Sequence, residues 1–442
     1  MPNDLFGLVM DAARKRGVSE VEAIAATENQ SLTRFANNVI HQNVAEQSKH
    51  LSVRVVIDRR TARASTNRTD RDAIEAVVEQ AIAITRLVEP DEELLPLADP
   101  APYESALRFF EATARATPQE RALAVAEAIR VVEDGRQTAA GIYSTGESGF
   151  SIFNSHGVAA HYQESLARFS ITAMAQDSSG WAKASACYHG DLDPLALAFS
   201  AARKAATSQA PRELEAGKYT VILEPAAVLD LVGQMAGDFS ATAIRDGRSF
   251  LNDRLGKSIF GENITIYDDV LHPLQAGAPF DAEGVPRRRL TLVDRGVPRE
   301  IAYSRHAAAL AGLQPTGHGY PLPNELGEAP VNIVIAGGES SVEEMVASTE
   351  RGILVTRLWY IREVDPYEKS FTGMTRDGTF LVEGGRVTAG VRNFRFNEGL
   401  MTMLSNVEAL GKPVRSSGEE AIDMVVPAMK VREFNFTDVT KF

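Results

Sequence analysis

The 442-residue chain is poor in the two side chains that most often build metal and redox centres. Cys187 is its only cysteine, and its eight histidines stand at 41, 50, 156, 161, 189, 272, 306 and 318. A single cysteine permits no intrachain disulfide and no cysteine-based metal cluster, and it fits a reducing compartment. No histidine is spaced His-x-x-x-His with another or followed directly by Glu, so the helical zinc pattern is missing. Basic charge is also short: 46 Lys and Arg stand against 59 Asp and Glu, and the net charge of -13 weighs against an electrostatic grip on nucleic acid or an anionic membrane. Long apolar runs are absent as well. Met1 to Gly17 lacks the apolar core of a signal peptide, and no stretch approaches the roughly 18 apolar residues of a spanning helix. What remains is 44% hydrophobic and 24% charged, the balance of a folded globular chain, long enough for roughly two or three domains and expected in the cytoplasm.

The first part reads as a helix, several strands and a helix. Asp4 to Arg16 carries Leu5, Leu8, Val9 and Ala12 on one side and stops at Gly17. Strands are expected at Glu20–Thr27, Ser31–Ala36, Val39–Glu46 and Leu51–Asp58, with Asn37-Asn38 as a tight turn. Thr69 with Asp72 resembles a capping box before a helix whose apolar positions run from Ile74 to Leu87. Residues 89–103, with four prolines and five acids, read as a surface linker. The pattern then returns. A capping box at Thr117-Pro-Gln-Glu120 starts a helix that ends at Gly135; strands follow at Ala139–Thr145, Gly149–Phe153, Val158–Gln163 and Arg168–Ala175, then Trp181–Cys187, and Asp193–Ser208 closes the unit as a helix. Two such units, about 1–90 and 104–215, predict a duplicated architecture pairing into one sheet with helices.

Residues 216–442 are richer in strands. Tyr219–Leu223 stops at Pro225, a helix is expected over Ala226–Ala236, and β-rich runs follow at Ile264–Tyr267, Arg289–Asp294, Val331–Ala336, Gly352–Ile361, Thr379–Glu383, Arg386–Phe396 and Ala428–Phe434. Turns are expected at Asp294-Arg-Gly296, Arg376-Asp-Gly378 and Glu383-Gly-Gly385, and short helices at Val342–Glu350, capped by Ser340 or Ser341, and at Phe396–Leu410. The fold class is therefore α+β: an N-terminal α/β domain over 1–215 and a mostly antiparallel barrel or sandwich over 216–442.

Several stretches resemble one family in their order along nearly the whole chain. Phe153-Asn-Ser-His-Gly157, the strand and helix around Pro225, Arg248-Ser-Phe-Leu-Asn-Asp-Arg-Leu-Gly-Lys257, Gly312-Leu-Gln-Pro-Thr-Gly-His-Gly319, Arg351-Gly-Ile-Leu-Val355, Ser370-Phe-Thr-Gly373 with Phe380-Leu-Val-Glu-Gly-Gly385, and Arg392-Asn-Phe-Arg-Phe-Asn-Glu398 look like the TldD/PmbA (TldD/TldE) metallopeptidase-related proteins. The resemblance implies dimeric assembly around an inner proteolytic chamber. In the TldD branch the helix after the first strand carries His-Glu-x-x-x-His, and a late cysteine completes the zinc site. Here that helix reads Asp230-Leu-Val-Gly-Gln-Met-Ala-Gly-Asp238, with no histidine in any register, and no cysteine follows Cys187. The resemblance thus points to the TldE/PmbA-like branch, which lacks the zinc motif and partners a zinc-bearing TldD-like subunit.

No catalytic, cofactor-binding or metal-ligating residue is assigned in this chain. The candidates weighed are ordinary structure in the first instance. His156 and His161 flank a turn and could face each other across a hairpin, but two ligands do not make a zinc site. Asp268, Asp269 and His272 could cluster, although Pro273 makes a loop equally natural. Gly338-Glu-Ser-Ser-Val342 lacks the second glycine of a nucleophile elbow, and Gly337-Gly338 lacks the Lys-Ser or Lys-Thr of a phosphate loop. Cys187 sits in an alternating strand, and Arg287-Arg-Arg289 reads as a solvated face or a partner contact. The expectation is a catalytically silent subunit of a cytoplasmic metallopeptidase that acts on small or unfolded peptides, with zinc supplied by a TldD-like partner. A non-catalytic homodimeric peptide-binding protein and a self-sufficient hydrolase remain as alternatives.

Overall fold

The computed structural model describes residues 2–440. Its N-terminal part is one six-stranded antiparallel sheet: β1 (Glu20–Ala36), β2 (Val39–Ile57), β3 (Arg60–Thr66), β4 (Thr138–Asn154), β5 (Ala159–Met174) and β6 (Ser179–Ala186), in the order β3-β2-β1-β4-β5-β6. The expected duplication takes this form. Each unit folds as a three-stranded meander, and the first strands of the two units pair from Glu22 opposite Asn154 to Phe35 opposite Gly141. Asn37 and Asn38 take φ of 52° and 61°, the left-handed turn that asparagine tolerates. Breaks expected near Glu28–Gln30 and Gly146–Ser148 do not occur, because β1 and β4 are flanked on both sides and their polar middles are held in the ladder.

Four helices, α1 (Pro2–Arg14), α2 (Arg71–Thr85), α3 (Pro118–Asp134) and α4 (Pro194–Thr207), lie on this sheet. α1 and α2 cover Val21, Ala23, Val53 and Val55. α3 and α4 cover Phe35, Tyr143, Phe169 and Ile171. Val21, Ala23 and Phe35 share one face of β1 by its period of two, so all four helices lie on one side. The opposite side, with Ile24, Ile152 and Tyr162, meets Phe280 of the C-terminal part. Local start signals are mostly where the sequence puts them: Thr117 and Glu120 form the full capping box. The cap of α2, however, is Asp70, whose carboxylate accepts from Ala73 N–H, one residue beyond the expected Thr69.

The C-terminal part begins with β7 (Gly217–Leu223) and α5 (Pro225–Val232), the latter continued by a 3-10 turn over Gly233–Asp238. There follow β8 (Ile266–Asp268), β9 (Leu290–Asp294), β10 (Val297–Pro298), β11 (Ile333–Ile335), β12 (Arg351–Asp365), β13 (Ser370–Glu383), β14 (Arg386–Gly390), β15 (Phe394–Gly399), β16 (Val407–Leu410), β17 (Val414–Ser416), β18 (Met424–Val426) and β19 (Met429–Val439). Strands β12-β7-β19-β15-β13 close on themselves through a β12–β13 pairing, which makes a barrel. A second sheet runs β10-β9-β8-β11-β18-β17. Most pairings are antiparallel as expected; β7 with β12 and β11 with β18 are parallel. One large core, with α5 wholly inside it, joins the barrel to the second sheet.

Two local readings are corrected, and some short elements went unexpected. Arg376-Asp-Gly378 is not a turn but an irregularity inside β13, where Asp377 and Gly378 take φ of 51° and 131° and the register with β12 shifts. The Phe396–Leu410 helix shrinks to Leu400–Ser405 between two strands, because Phe396 is buried in the core on β15, which pairs with β13 and β19. Helix Arg305–Ala311 and strands β17 and β18 lie outside the expected runs, being too short to carry a period.

At Gly180 the sheet comes close against a helix. A Cβ there would stand 2.2 Å from Ala201 O and 2.5 Å from Ala205 N of α4. Gly180→Ala is expected to cost about 1–3 kcal/mol and to lower the calorimetric melting temperature; an unchanged transition would show that α4 can shift away freely.

Candidate functional site

Helix α5 is packed inside the C-terminal core. Residues Ala226 to Val232 are buried, and Asp230 is its single ionisable side chain. Asp230 Oδ1 accepts the backbone N–H of Glu419 and Glu420 at 3.1 and 3.0 Å. Its Oδ2 is buried without a partner. Burial raises the carboxyl to about 6, against the opposing pull of those two amides. Asp238, at the end of the following turn, pairs with Lys369 at 2.6 Å and accepts from Phe250 N–H. Among the described residues no group of three or more His, Cys, Asp or Glu side chains could hold a metal ion. Zinc needs three or four convergent donors, and one carboxylate oxygen does not fit it.

The segment that Asp230 holds also ties the two parts of the molecule together. Lys183 of β6 donates to Gly418 O at 2.6 Å and pairs with Glu419 at 3.2 Å. Asp423 receives Arg168 of β5 at 3.2 Å, Ser185 at 2.8 Å and Arg415 at 3.1 Å. Elsewhere between the two parts, the face of the sheet opposite the helices and the loops of the C-terminal part line a half-open cavity of about 440 Å³. Ala26, Glu28, Ser48, His50, Phe150 and Tyr162 form its floor, and Phe280, Asp281, Arg287, His318 and Tyr320 its roof.

The polar frame of the roof is buried. His318 Nε2 stands 3.0 Å from Asp268 Oδ1, and its Nδ1 stands 2.9 Å from Thr316 Oγ1. Burial alone would raise the Asp268 carboxyl, but His318, then the Arg287 charge and the Asn332 N–H, hold it below the usual range. Asp281 accepts from Glu283, Val285 and Gly319 N–H, yet burial still pushes its carboxyl up. Glu283 accepts from Arg305 N–H through Oε2 and leaves Oε1 unpartnered. Burial first, and repulsion from Asp281 second, raise it to about 8. Arg287 leans over this group with its Nε and Nη1 buried and without partners.

The structure separates most of the residues weighed from the sequence. His156 lies 3.8 Å from Asp99, whereas His161 bonds Ser151 Oγ at 2.8 Å, so each ring has its own partner. Asp268 turns to His318, while Asp269 accepts from Leu271 N–H and His272 Nδ1 accepts from Leu274 N–H; the three do not cluster. Ser341 is the cap of Val342–Ala347 in a box with Glu344. At Gly338 the chain passes the backbone of Leu410, where a Cβ would meet Leu410 O at 2.6 Å. The Cys187 thiol is half-buried and pushed up by burial, which suits an inert group. Of the three arginines, Arg288 pairs with Glu300 at 2.8 Å and Arg289 stacks over Tyr267 at 4.1 Å, while Arg287 alone turns into the cavity. Sequence reasoning missed the roof: His318 sits in Thr316-Gly-His-Gly319, but its partner Asp268 lies 50 positions away.

Two outcomes follow from these environments. An acid raised in the folded state binds more protons there than in the unfolded chain, so stability falls as pH rises from about 4.5 to about 8. Urea midpoints across that window are expected to decline less in Glu283→Gln than in the wild type; parallel curves would show that Glu283 ionises freely. Removing the partner of a buried pair costs about 3 kcal/mol, so Asp268→Ala is expected to lower the urea midpoint strongly at neutral pH, and an unchanged midpoint would show that the pair is dispensable.

Comparison with known proteins identifies the family and supports the fold. Three successive family models match: PmbA/TldA metallopeptidase domain 1 over residues 21–85, the central domain over 99–209, and the C-terminal domain over 216–438. The chain is 27% identical over 403 residues to metalloprotease PmbA of Escherichia coli O157:H7, covering 86% of this chain and 85% of that protein. It is 23% identical over 427 residues to a metalloprotease PmbA homolog of Haemophilus influenzae, covering 92% and 90%. The crystal structure of TldE from Thermococcus kodakarensis superposes with a TM-score of 0.87 at 20% identity, covering 97% of this chain and 100% of that one, and so shares the fold. With a family model matched over more than half its length, the chain belongs to the PmbA/TldA metallopeptidase family.

Proposed function

We propose that this chain is the TldE/PmbA-like, catalytically silent subunit of a cytoplasmic peptidase, in which a TldD-like partner supplies the zinc and the general base. The observation that carries the reading is Asp230. It is the single ionisable group on α5, and the carboxylate is engaged by the amides of Glu419 and Glu420. Zinc in the partner would supply Lewis-acid chemistry and an activated water for peptide hydrolysis. This chain's part is to complete the chamber and to hold small or unfolded peptides through main-chain hydrogen bonds, which demand little of their sequence. The relatives named as metalloproteases support a peptidase context.

The test is peptidase activity of the purified chain alone, of a TldD-like protein from the same source alone, and of the two mixed. Hydrolysis of an unstructured peptide is expected in the mixture and absent with this chain alone. A rate with this chain alone equal to that of the mixture would overturn the silent-subunit reading.

A further inference from the structure

The cavity between the two parts has an unmet cation inside it and an unpaired carboxylate at its mouth. Strand register fixes its floor as two rows of side chains: His50, Ala26, Phe150 and Tyr162 in one, and Ser48, Glu28, Ser148 and Glu164 in the next. Behind the first row the sheet is closed, because Ile24 and Ile152 are buried in one cluster with Phe280, which also stacks on Phe150 at 5.8 Å. Within that row Ala26 offers only a methyl between His50 and Phe150, so the floor is lowest there. In the second row Glu28 and Ser48 are exposed, which puts the mouth on that side. Glu164 accepts from Tyr162 OH, Ser148 Oγ and Gly277 N–H, whereas the Glu28 carboxylate has no partner among the described residues. Arg287 is the one Lys or Arg among the residues that line the cavity. Its charge acts on Asp268 and Asp281, but the oxygens of both are taken up by His318 and by backbone N–H groups. The guanidinium is left with no hydrogen bond or ion pair among the described residues, and its Nε and Nη1 are buried. Such a fork of charged donors matches a carboxylate, and leaving it unmet is costly.

We propose that this cavity binds a short peptide with both ends free, its C-terminal carboxylate on Arg287, its apolar C-terminal side chain over Ala26 against Phe150 and Phe280, and its ammonium toward Glu28. The charges around the cavity select a zwitterion. A carboxylate alone would meet Glu28, Glu164 and Asp281 with one guanidinium to offset them, and an amine alone would leave Arg287 unmet. Between the two charged ends the walls are Ala26, Phe150, Ala278 and Phe280, which suit an apolar side chain. About 440 Å³ is at the small end of ligand sites, enough for a dipeptide and too little for a long chain. That the zwitterion is a peptide rests on the peptide-holding role above, which this inference deepens.

The test is calorimetric titration of the full chain with the dipeptide alanyl-phenylalanine, its C-terminal amide and its N-acetyl form. The free dipeptide is expected to bind about tenfold or more tighter than the amide, and about threefold tighter than the acetylated form, since Glu28 is exposed. Arg287→Met is expected to erase the preference over the amide. Ala26→Leu, which fills the hollow from the floor, is expected to weaken binding of the free dipeptide about tenfold. Arg288→Met, at a residue that pairs with Glu300, leaves the affinities unchanged. No binding of the free dipeptide at millimolar concentration, equal affinity for the dipeptide and either derivative, or a preference over the amide that survives Arg287→Met would overturn the assignment. So would full affinity in Ala26→Leu, which places the dipeptide outside the cavity. Hydrolysis by the mixture with no dipeptide bound to this chain sinks the cavity assignment alone; dipeptide bound as expected, with this chain alone hydrolysing as fast as the mixture, sinks the silent-subunit reading alone.

Discussion

The carboxylate of Asp230 and the segment it holds are the constraint on which the arrangement depends. A buried carboxylate with two amide bonds on one oxygen and none on the other is a costly group to keep. It fixes the backbone at Glu419 and Glu420, and from there Lys183, Arg168 and Ser185 reach across from the N-terminal sheet. Gly233 lets that segment approach, since a Cβ there would stand 2.4 Å from Ala421 Cβ. Helix α5 thereby anchors a clasp between the two parts of the molecule.

Roof and floor of the cavity have different physics. The floor is a sheet face whose positions are dictated by strand alternation, so Ala26, Ser48, Phe150 and Tyr162 point the same way without special devices. The roof is made of irregular loops and needs buried polar bonds to hold its shape. Asp268 with His318, and Asp281 with three backbone amides, supply them. The left-handed Gly317, against which a Cβ would meet Pro286 O at 2.2 Å, packs the His318 loop onto the segment that carries Arg287.

What the sequence made legible is what local chemistry decides. Asn37-Asn38, the Thr117–Glu120 box, the Pro225 stop and the Ser341 cap are all short-range signals, and each stands in the structure. Arg376-Asp-Gly378 carries the same turn chemistry, yet long-range pairing of β12 with β13 absorbs it as a bulge and aims Asp377 at Arg357, 2.9 Å from its Nε. The cavity was out of reach for the same reason. His318 and Asp268, or Phe150 and Phe280, become neighbours only through long-range packing of the chain, and no spacing rule connects them. The family resemblance singled out the helix after Pro225 but could not say that Asp230 is bound to residues 419 and 420.

Zinc binding by the chain alone tests most directly the claim that α5 is a structural anchor rather than a metal helix. Titration of the metal-free chain with zinc against a competing colorimetric chelator is predicted to show no stoichiometric uptake. One zinc bound per chain, and lost when Asp230 or any histidine is replaced by alanine, would contradict it.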